Sequence, residues 1–176
     1  YEQGVGTKYG EYISGNLFGI GVEDRIQSAY RQLQNYLTDE SCADNRIFII
    51  GFSRGAYSAR RFASLLDCSG IPKNGDDWTK GWNNFLEVND DADGLKQSGE
   101  FFDVKVDMLG VWDTVKSAPT IPDRDDQNLP GNVAAAYHAI SIDEQRDQFQ
   151  VTRFNADQRV TEMWFSGVHS DVGGGY

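Results

Sequence analysis

Ser53 lies in Gly51-Phe52-Ser53-Arg54-Gly55, the G-x-S-x-G pattern in which a serine tops a sharp turn from a strand into a helix. A serine hydroxyl is a weak nucleophile until a base takes its proton, and an imidazole base needs a third group to fix its tautomer. The chain offers two histidines for that duty. His138, between Tyr137 and Ala139, falls inside a stretch that reads as helix and is assigned to structure. His169 directly follows an apolar run and precedes Gly173-Gly174-Gly175, where the backbone is free to turn, so it is the favoured base. Asp113 ends another apolar run and is the favoured orienting acid. Asp171, two residues from His169, is its rival, with bracing of the loop as the alternative duty. The chemistry these types support is acyl transfer through serine, with the backbone N–H of Arg54 as an oxyanion donor. The competing reading of Ser53 is an ordinary helix cap.

These residues need elements to hold them. Ile47-Phe48-Ile49-Ile50 is short, apolar on both faces and largely β-branched, as expected of a central parallel strand. After the serine, Gly55, Ala56, Ser58, Ala59 and Ala63 are small at helical spacing, so a helix ending near Gly70-Ile71-Pro72 can lie close on the sheet. Gly51 and Gly55 both read as spaces that a side chain would fill. Residues 1–18, rich in Gly and Tyr, read as a loop. Residues 19–37 place Ile20, Val22, Ile26, Ala29, Tyr30, Leu33 and Leu37 on one helical face. Residues 72–100 form a polar insertion in which Trp78, Trp82 and Phe85 mark a short helix. A second buried strand spans Val104 to Val111 and delivers Asp113. Residues 116–130 read as a loop, Asn132 to Phe149 as a helix, and Val160 to Val168 as a third strand that delivers His169. Alternating strands and helices, with reactive types at three strand ends, imply an α/β fold. The expectation is one domain over residues 1–176, a mostly parallel sheet with helices on both faces.

Composition narrows the function. With 176 residues and 39% hydrophobic content, the chain can build a core. A net charge of −11 excludes a phosphate-neutralising nucleic-acid binder and electrostatic docking on an anionic membrane, but leaves apolar contact with lipid open. Cys42 and Cys68 have no metal-ligand spacing and read as free thiols. No apolar run approaches the ~20 residues of a membrane span. Asn89, Asp91, Asp93, Gly94 and Glu100 fall at the first, third, fifth, sixth and twelfth places of a calcium loop. Asn in the first place and Lys96 in the eighth depart from that pattern, so a solvated acidic turn is the favoured reading. No cofactor is required.

Four blocks carry a resemblance: Gly51 to Tyr57, Gly110 to Val115, His138 to Glu144 and Gly167 to Tyr176. In order and content they resemble the α/β-hydrolase family of the type VI secretion phospholipase effectors, which has uncharacterised bacterial and fungal members. The resemblance extends to Tyr1-Glu2-Gln3-Gly4-Val5-Gly6-Thr7 and implies Ser53 as nucleophile, Asp113 as acid and His169 as base. It implies ester hydrolysis on phospholipids or other acyl esters, with peripheral membrane contact and a secretion-system or immunity-protein partner. For a secretion effector it implies synthesis in the bacterial cytoplasm and delivery to a target cell's periplasm. An Asp-Gly-Thr strand block, usual upstream in that family, is missing, and both ends look cut. The expectation is therefore a longer protein whose upstream strand pairs with Arg46 to Ile50. The alternative from another class is a hydrolase fold kept for binding alone.

Overall fold

The computed structural model describes residues 21–38, 46–87, 92–117, 121 and 127–174. Helix α1 (Val22–Thr38) buries Val22, Ile26, Tyr30 and Gln34, a strict four-residue spacing that makes one stripe. Strand β1 (Phe48–Phe52) runs through the elbow into α2 (Arg54–Ser69). Then come β2 (Ile71–Pro72), α3 (Trp78–Leu86), α4 (Ala92–Gln97) and β3 (Phe101–Phe102). Strands β4 (Met108–Trp112), β5 (Ala136–Ser141) and β6 (Val160–Phe165) follow, and α5 (His169–Gly173) is the last element.

The main sheet has the order β1-β4-β5-β6 and every pairing is parallel. Ile49, Leu109, Val111 and Ala136 point to one face and are buried with Ala56, Ala59 and Ala63 of α2. The small residues of α2 thus do what their spacing required: they let the helix lie against the sheet. Outside it α1 packs on α2, and Tyr30 donates its buried hydroxyl to the Gly70 carbonyl at 2.7 Å. The residue 72–100 insertion folds against the same side. α3 buries Gly81, Trp82 and Phe85, and β2 pairs antiparallel with β3 to close it.

The opposite sheet face is open among the described residues. The register aligns Phe48 and Ile50 of β1 with Met108 and Gly110 of β4, Tyr137 of β5, and Met163 and Phe165 of β6. Of these, Phe48, Ile50, Tyr137, Met163 and Phe165 are exposed. The helix expected over 132–149 is instead β5, preceded by a turn and followed by a turn at Asp147–Phe149. Val133, Ala136, Tyr137 and Ile140 fit a 3.6-residue period, but Ala136, His138 and Ile140 also alternate with a period of 2. The slot between β4 and β6 decides for the second: Ala136, His138 and Ile140 are all buried there. The strand with His169 downstream stops at Phe165, short of Val168. Asn89 and Asp91 of the calcium pattern lie outside the described residues, while Asp93 falls within α4 and Glu100 approaches Lys80 at 3.8 Å.

Candidate active site

Ser53 sits between β1 and α2 with φ 58° and ψ −123°, a left-handed conformation that a non-glycine residue adopts only under constraint. The constraint is visible. Its N–H donates to the Trp112 carbonyl at 2.9 Å, and its carbonyl accepts from Tyr57 at 3.1 Å and Val115 at 3.2 Å. The two motif glycines do different work. A Cβ on Gly51 would overlap the Gly55 carbonyl, whereas a Cβ on Gly55 would meet nothing within 4 Å. Only the first glycine is demanded by space inside this structure.

The structure brings Ser53, His169 and Asp113 together although they are far apart in sequence. Ser53 Oγ lies 2.7 Å from His169 Nε2, and His169 Nδ1 lies 2.6 Å from Asp113 Oδ2. An ionised carboxylate has only acceptor sites, so Nδ1 carries the proton and Nε2 presents a lone pair to the serine hydroxyl. Asp113 and His169 are 1% and 2% exposed, so this pair is shielded from water. Burial by itself would raise the Asp113 carboxyl, but hydrogen bonds from His169 and from Ser141 outweigh it and hold the group below its ordinary value. Asp171 is placed elsewhere. Its Oδ2 accepts from the Val168 N–H at 2.9 Å and braces the turn that starts α5. Arg54 is the first residue of α2, so its N–H belongs to the positive end of that helix.

Several supporting residues had no role in the sequence reading. Ser141 ends β5 and donates to Asp113 through both its N–H and its hydroxyl. Its block was visible, but reading that block as helix hid the fact that Ser141 stands at a strand end beside the acid. The His169 ring lies between Phe52 and Phe149, with centroids 4.6 and 4.7 Å away. Arg146 stacks on the outer side of Phe149 at 4.0 Å and forms a fork with Glu144, whose Oε2 also accepts the His169 N–H at 3.3 Å. The Arg146 guanidinium is the main reason the Glu144 carboxyl is lowered to about 2. A cleft of about 280 Å³ opens beside this group, lined by Ser141, Ile142, Glu144, Phe149, Val151 and Trp164. Among the described residues, no group of three or more His, Cys, Asp or Glu is arranged to hold a metal ion. No helix of the described residues is long and apolar enough to cross a membrane.

A strained serine between a parallel strand and a helix, with a buried His-Asp pair in which Asp113 follows β4 and His169 opens α5 beyond β6, defines the α/β-hydrolase class of fold. Within it, the chain belongs to the family described as type VI secretion phospholipase effector, Tle1-like, catalytic domain, whose model matches residues 1–176. It is similar to an uncharacterized protein of Saccharomyces cerevisiae, 27% identical over an alignment of 155 positions that covers 77% of this chain and 22% of that protein. A solved structure of the Tle1 effector bound to the VgrG spike of the type 6 secretion system superposes with TM-score 0.54 at 21% identity, over 92% of this chain and 32% of that one. An uncharacterized protein from Pseudomonas aeruginosa superposes with TM-score 0.45 at 24% identity, over 88% of this chain and 23% of that one. The chain thus spans between about a fifth and a third of the length of these relatives.

Proposed function

We propose that this chain is the catalytic domain of a serine esterase that cleaves the acyl esters of phospholipids. The observation that carries the proposal is the unbroken line from Ser53 Oγ through the His169 imidazole to Asp113 Oδ2, at 2.7 and 2.6 Å. His169 Nε2 takes the serine proton as Oγ attacks the ester carbonyl carbon. The oxyanion that forms lies at the N-terminus of α2, where the Arg54 N–H and the helix dipole stabilise it. Collapse breaks the bond to the leaving alcohol, which receives the proton from His169 and departs, leaving an acyl-serine. Water then attacks the acyl carbon, giving its proton to His169, and the fatty acid leaves as Ser53 recovers its hydrogen.

Phospholipid as the substrate class comes from the family; the cleft beside Glu144 and Phe149, whose described lining includes neither Ser53 nor His169, has apolar walls in Ile142, Phe149, Val151 and Trp164 and charged ones in Glu144 and Arg146. The family also extends the proposal to the intact protein as an effector delivered to a target cell, with a secretion spike as its partner. Calcium binding at Asn89, Asp91, Asp93 and Glu100 stays outside the mechanism.

The test uses the intact protein. A fluorophosphonate probe should label Ser53, and vesicles of phosphatidylethanolamine should release free fatty acid; both signals should vanish in Ser53→Ala. A wild-type protein that takes no label and releases no fatty acid would leave the fold with a binding duty only. Co-purification with a secretion spike protein tests delivery separately.

A further inference from the structure

The turn that presents Asp113 is itself under strain. Asp113 has φ 43°, in the left-handed region, although it is not glycine and its side chain is buried. Such a conformation persists only when surrounding bonds over-determine it. Every backbone N–H of the turn is taken. Asp113 donates to the Ala139 carbonyl at 2.8 Å and Val115 to the Ser53 carbonyl at 3.2 Å. Between them, the Thr114 N–H donates not to a carbonyl but to the imidazole of His138, at 3.2 Å from Nε2. The Thr114 hydroxyl lies at the same distance from the same nitrogen. On the other side of the ring, Nδ1 is 3.0 Å from Glu162 Oε1. Glu162 is anchored in turn by the Phe154 N–H at 3.0 Å and by Arg153 Nε at 2.8 Å.

This arrangement fixes one tautomer. The Glu162 carboxylate can only accept, so Nδ1 of His138 holds the proton and Nε2 is the acceptor that the Thr114 N–H needs. His138 is 1% exposed and Thr114 is fully buried, so neither group has water to fall back on. We propose that His138 is a positioning residue for the hydrolysis: through the Thr114 N–H, it holds Asp113 in the strained turn that aims its carboxylate at His169. The Thr114 N–H and hydroxyl share the single lone pair of Nε2, and unlike a backbone carbonyl the imidazole is locked from its other side by Glu162. Ile140 and Ala136 show that apolar residues pack well at this face of β5, so a buried histidine there has a cost that plain packing does not require.

The inference rests on the Ser53, His169 and Asp113 reading, and its test separates the two. In the intact protein, His138→Leu removes the acceptor and should lower kcat at least tenfold at unchanged KM, per folded molecule. His138→Gln places a carboxamide oxygen near the Nε2 position and should recover most of that loss. Histidine ¹⁵N NMR of the wild type, with the His138 signals assigned by their loss in His138→Gln, should show the proton on Nδ1. A Leu variant within twofold of wild-type kcat, a Gln variant no better than Leu, or a proton on Nε2 would each overturn the proposal. Should neither variant fold, the His138 signals are assigned instead by through-bond correlation to the His138 backbone, and the tautomer still decides. A wild type inactive on every ester would sink the esterase reading, while the tautomer is read without turnover.

Discussion

Ser141 grips Asp113 twice, its N–H reaching Oδ1 at 3.0 Å and its hydroxyl reaching Oδ2 at 2.7 Å. The second bond converges on the oxygen that His169 uses. One carboxylate oxygen therefore meets both the His169 ring and the Ser141 hydroxyl, which leaves it little freedom to rotate. Strand β5 thus holds the Asp113 turn at three points: His138 on the Thr114 N–H, the Ala139 carbonyl on the Asp113 N–H, and Ser141 on the carboxylate.

Removing the hydroxyl should be costly but not fatal. A hydrogen bond to a charged group is worth about 1.5–3 kcal/mol, and the Ser141 N–H remains in Ser141→Ala. The expected outcome is a loss of kcat on the order of tenfold with KM unchanged, measured on a soluble acyl ester with the intact protein. A variant within twofold of wild type would show that the backbone N–H alone orients the acid.

The two aspartates near His169 should separate cleanly. Asp113→Asn offers a carboxamide that leaves the wrong tautomer on the base, for which a loss of ~10⁴ in kcat is the established scale. Asp171→Asn keeps an acceptor for the Val168 N–H and should stay within about tenfold of wild type, a range in keeping with loss of one modest hydrogen bond. Steady-state kinetics on both variants decide the matter. A severe loss in Asp171→Asn with a mild one in Asp113→Asn would transfer the acid's role.

Stability should fall with acidity in two stages. Burial, the largest influence, drives the His138 imidazole below its ordinary value despite the pull of Glu162. At Glu162 burial acts upward, but hydrogen bonds from the Phe154 N–H, His138 and Arg153 outweigh it and leave the carboxyl lowered, as at Asp113. For each of these groups the unfolded chain takes up the proton first. Their stabilisation is therefore complete above the unfolded value and lost as pH falls toward the folded one. The first loss, from His138, should begin below about pH 6.5, and the carboxylate losses below about pH 4. Urea midpoints of the intact protein between pH 8 and 3 would show both. His138→Gln should erase the upper stage and keep the lower; a wild-type midpoint flat from pH 7.5 to 5.5 would contradict this.

Which parts of the site were legible follows from how local their signals are. Ser53 was readable because an elbow is built from adjacent residues: an apolar strand, two glycines and a small-faced helix. The strand carrying Asp113 was readable from Met108 to Trp112, where no charge interrupts it, but its expected start at Val104 was too early: Lys105 and Asp107 break the run and β4 begins at Met108. β5 was not, since its six residues satisfy both helical and strand periods, and only the neighbours β4 and β6 choose between them. The supports of the acid, Ser141 and His138, were lost with it. They act across strands, through contacts separated by 28 and 24 residues, and no local pattern encodes such a distance.

The motif glycines should behave unequally. Gly51→Ala drives a methyl into the Gly55 carbonyl, so the elbow must open and the protein should be destabilised by several kcal/mol, as overpacking against backbone does. Gly55→Ala meets open space in the first turn of α2 and should gain about 0.4–1 kcal/mol from the lower entropy of the unfolded chain. Thermal melts of the two variants check the contrast. Equal destabilisation would mean that Gly55 has a neighbour in the intact protein that these residues do not supply.

The open sheet face sets the last expectation. Phe48, Ile50, Tyr137, Met163 and Phe165 share that face by register and are 55%, 63%, 51%, 55% and 44% exposed. Contiguous apolar surface of this kind is rare on a monomer, and β1, an edge strand among the described residues, adds unpaired backbone groups beside it. Residues 1–176 expressed alone should therefore associate or aggregate, and a longer polypeptide that covers this face and edge should not. Replacing Ile50 and Met163 together by threonine keeps β propensity, removes apolar area and touches none of Ser53, His169 or Asp113, so it should shift the short chain toward monomer. Light scattering after size-exclusion chromatography at about 100 μM, a concentration at which exposed patches show association, compares the three proteins. A monodisperse monomer from the unmodified short chain would show that its own residues already cover the face.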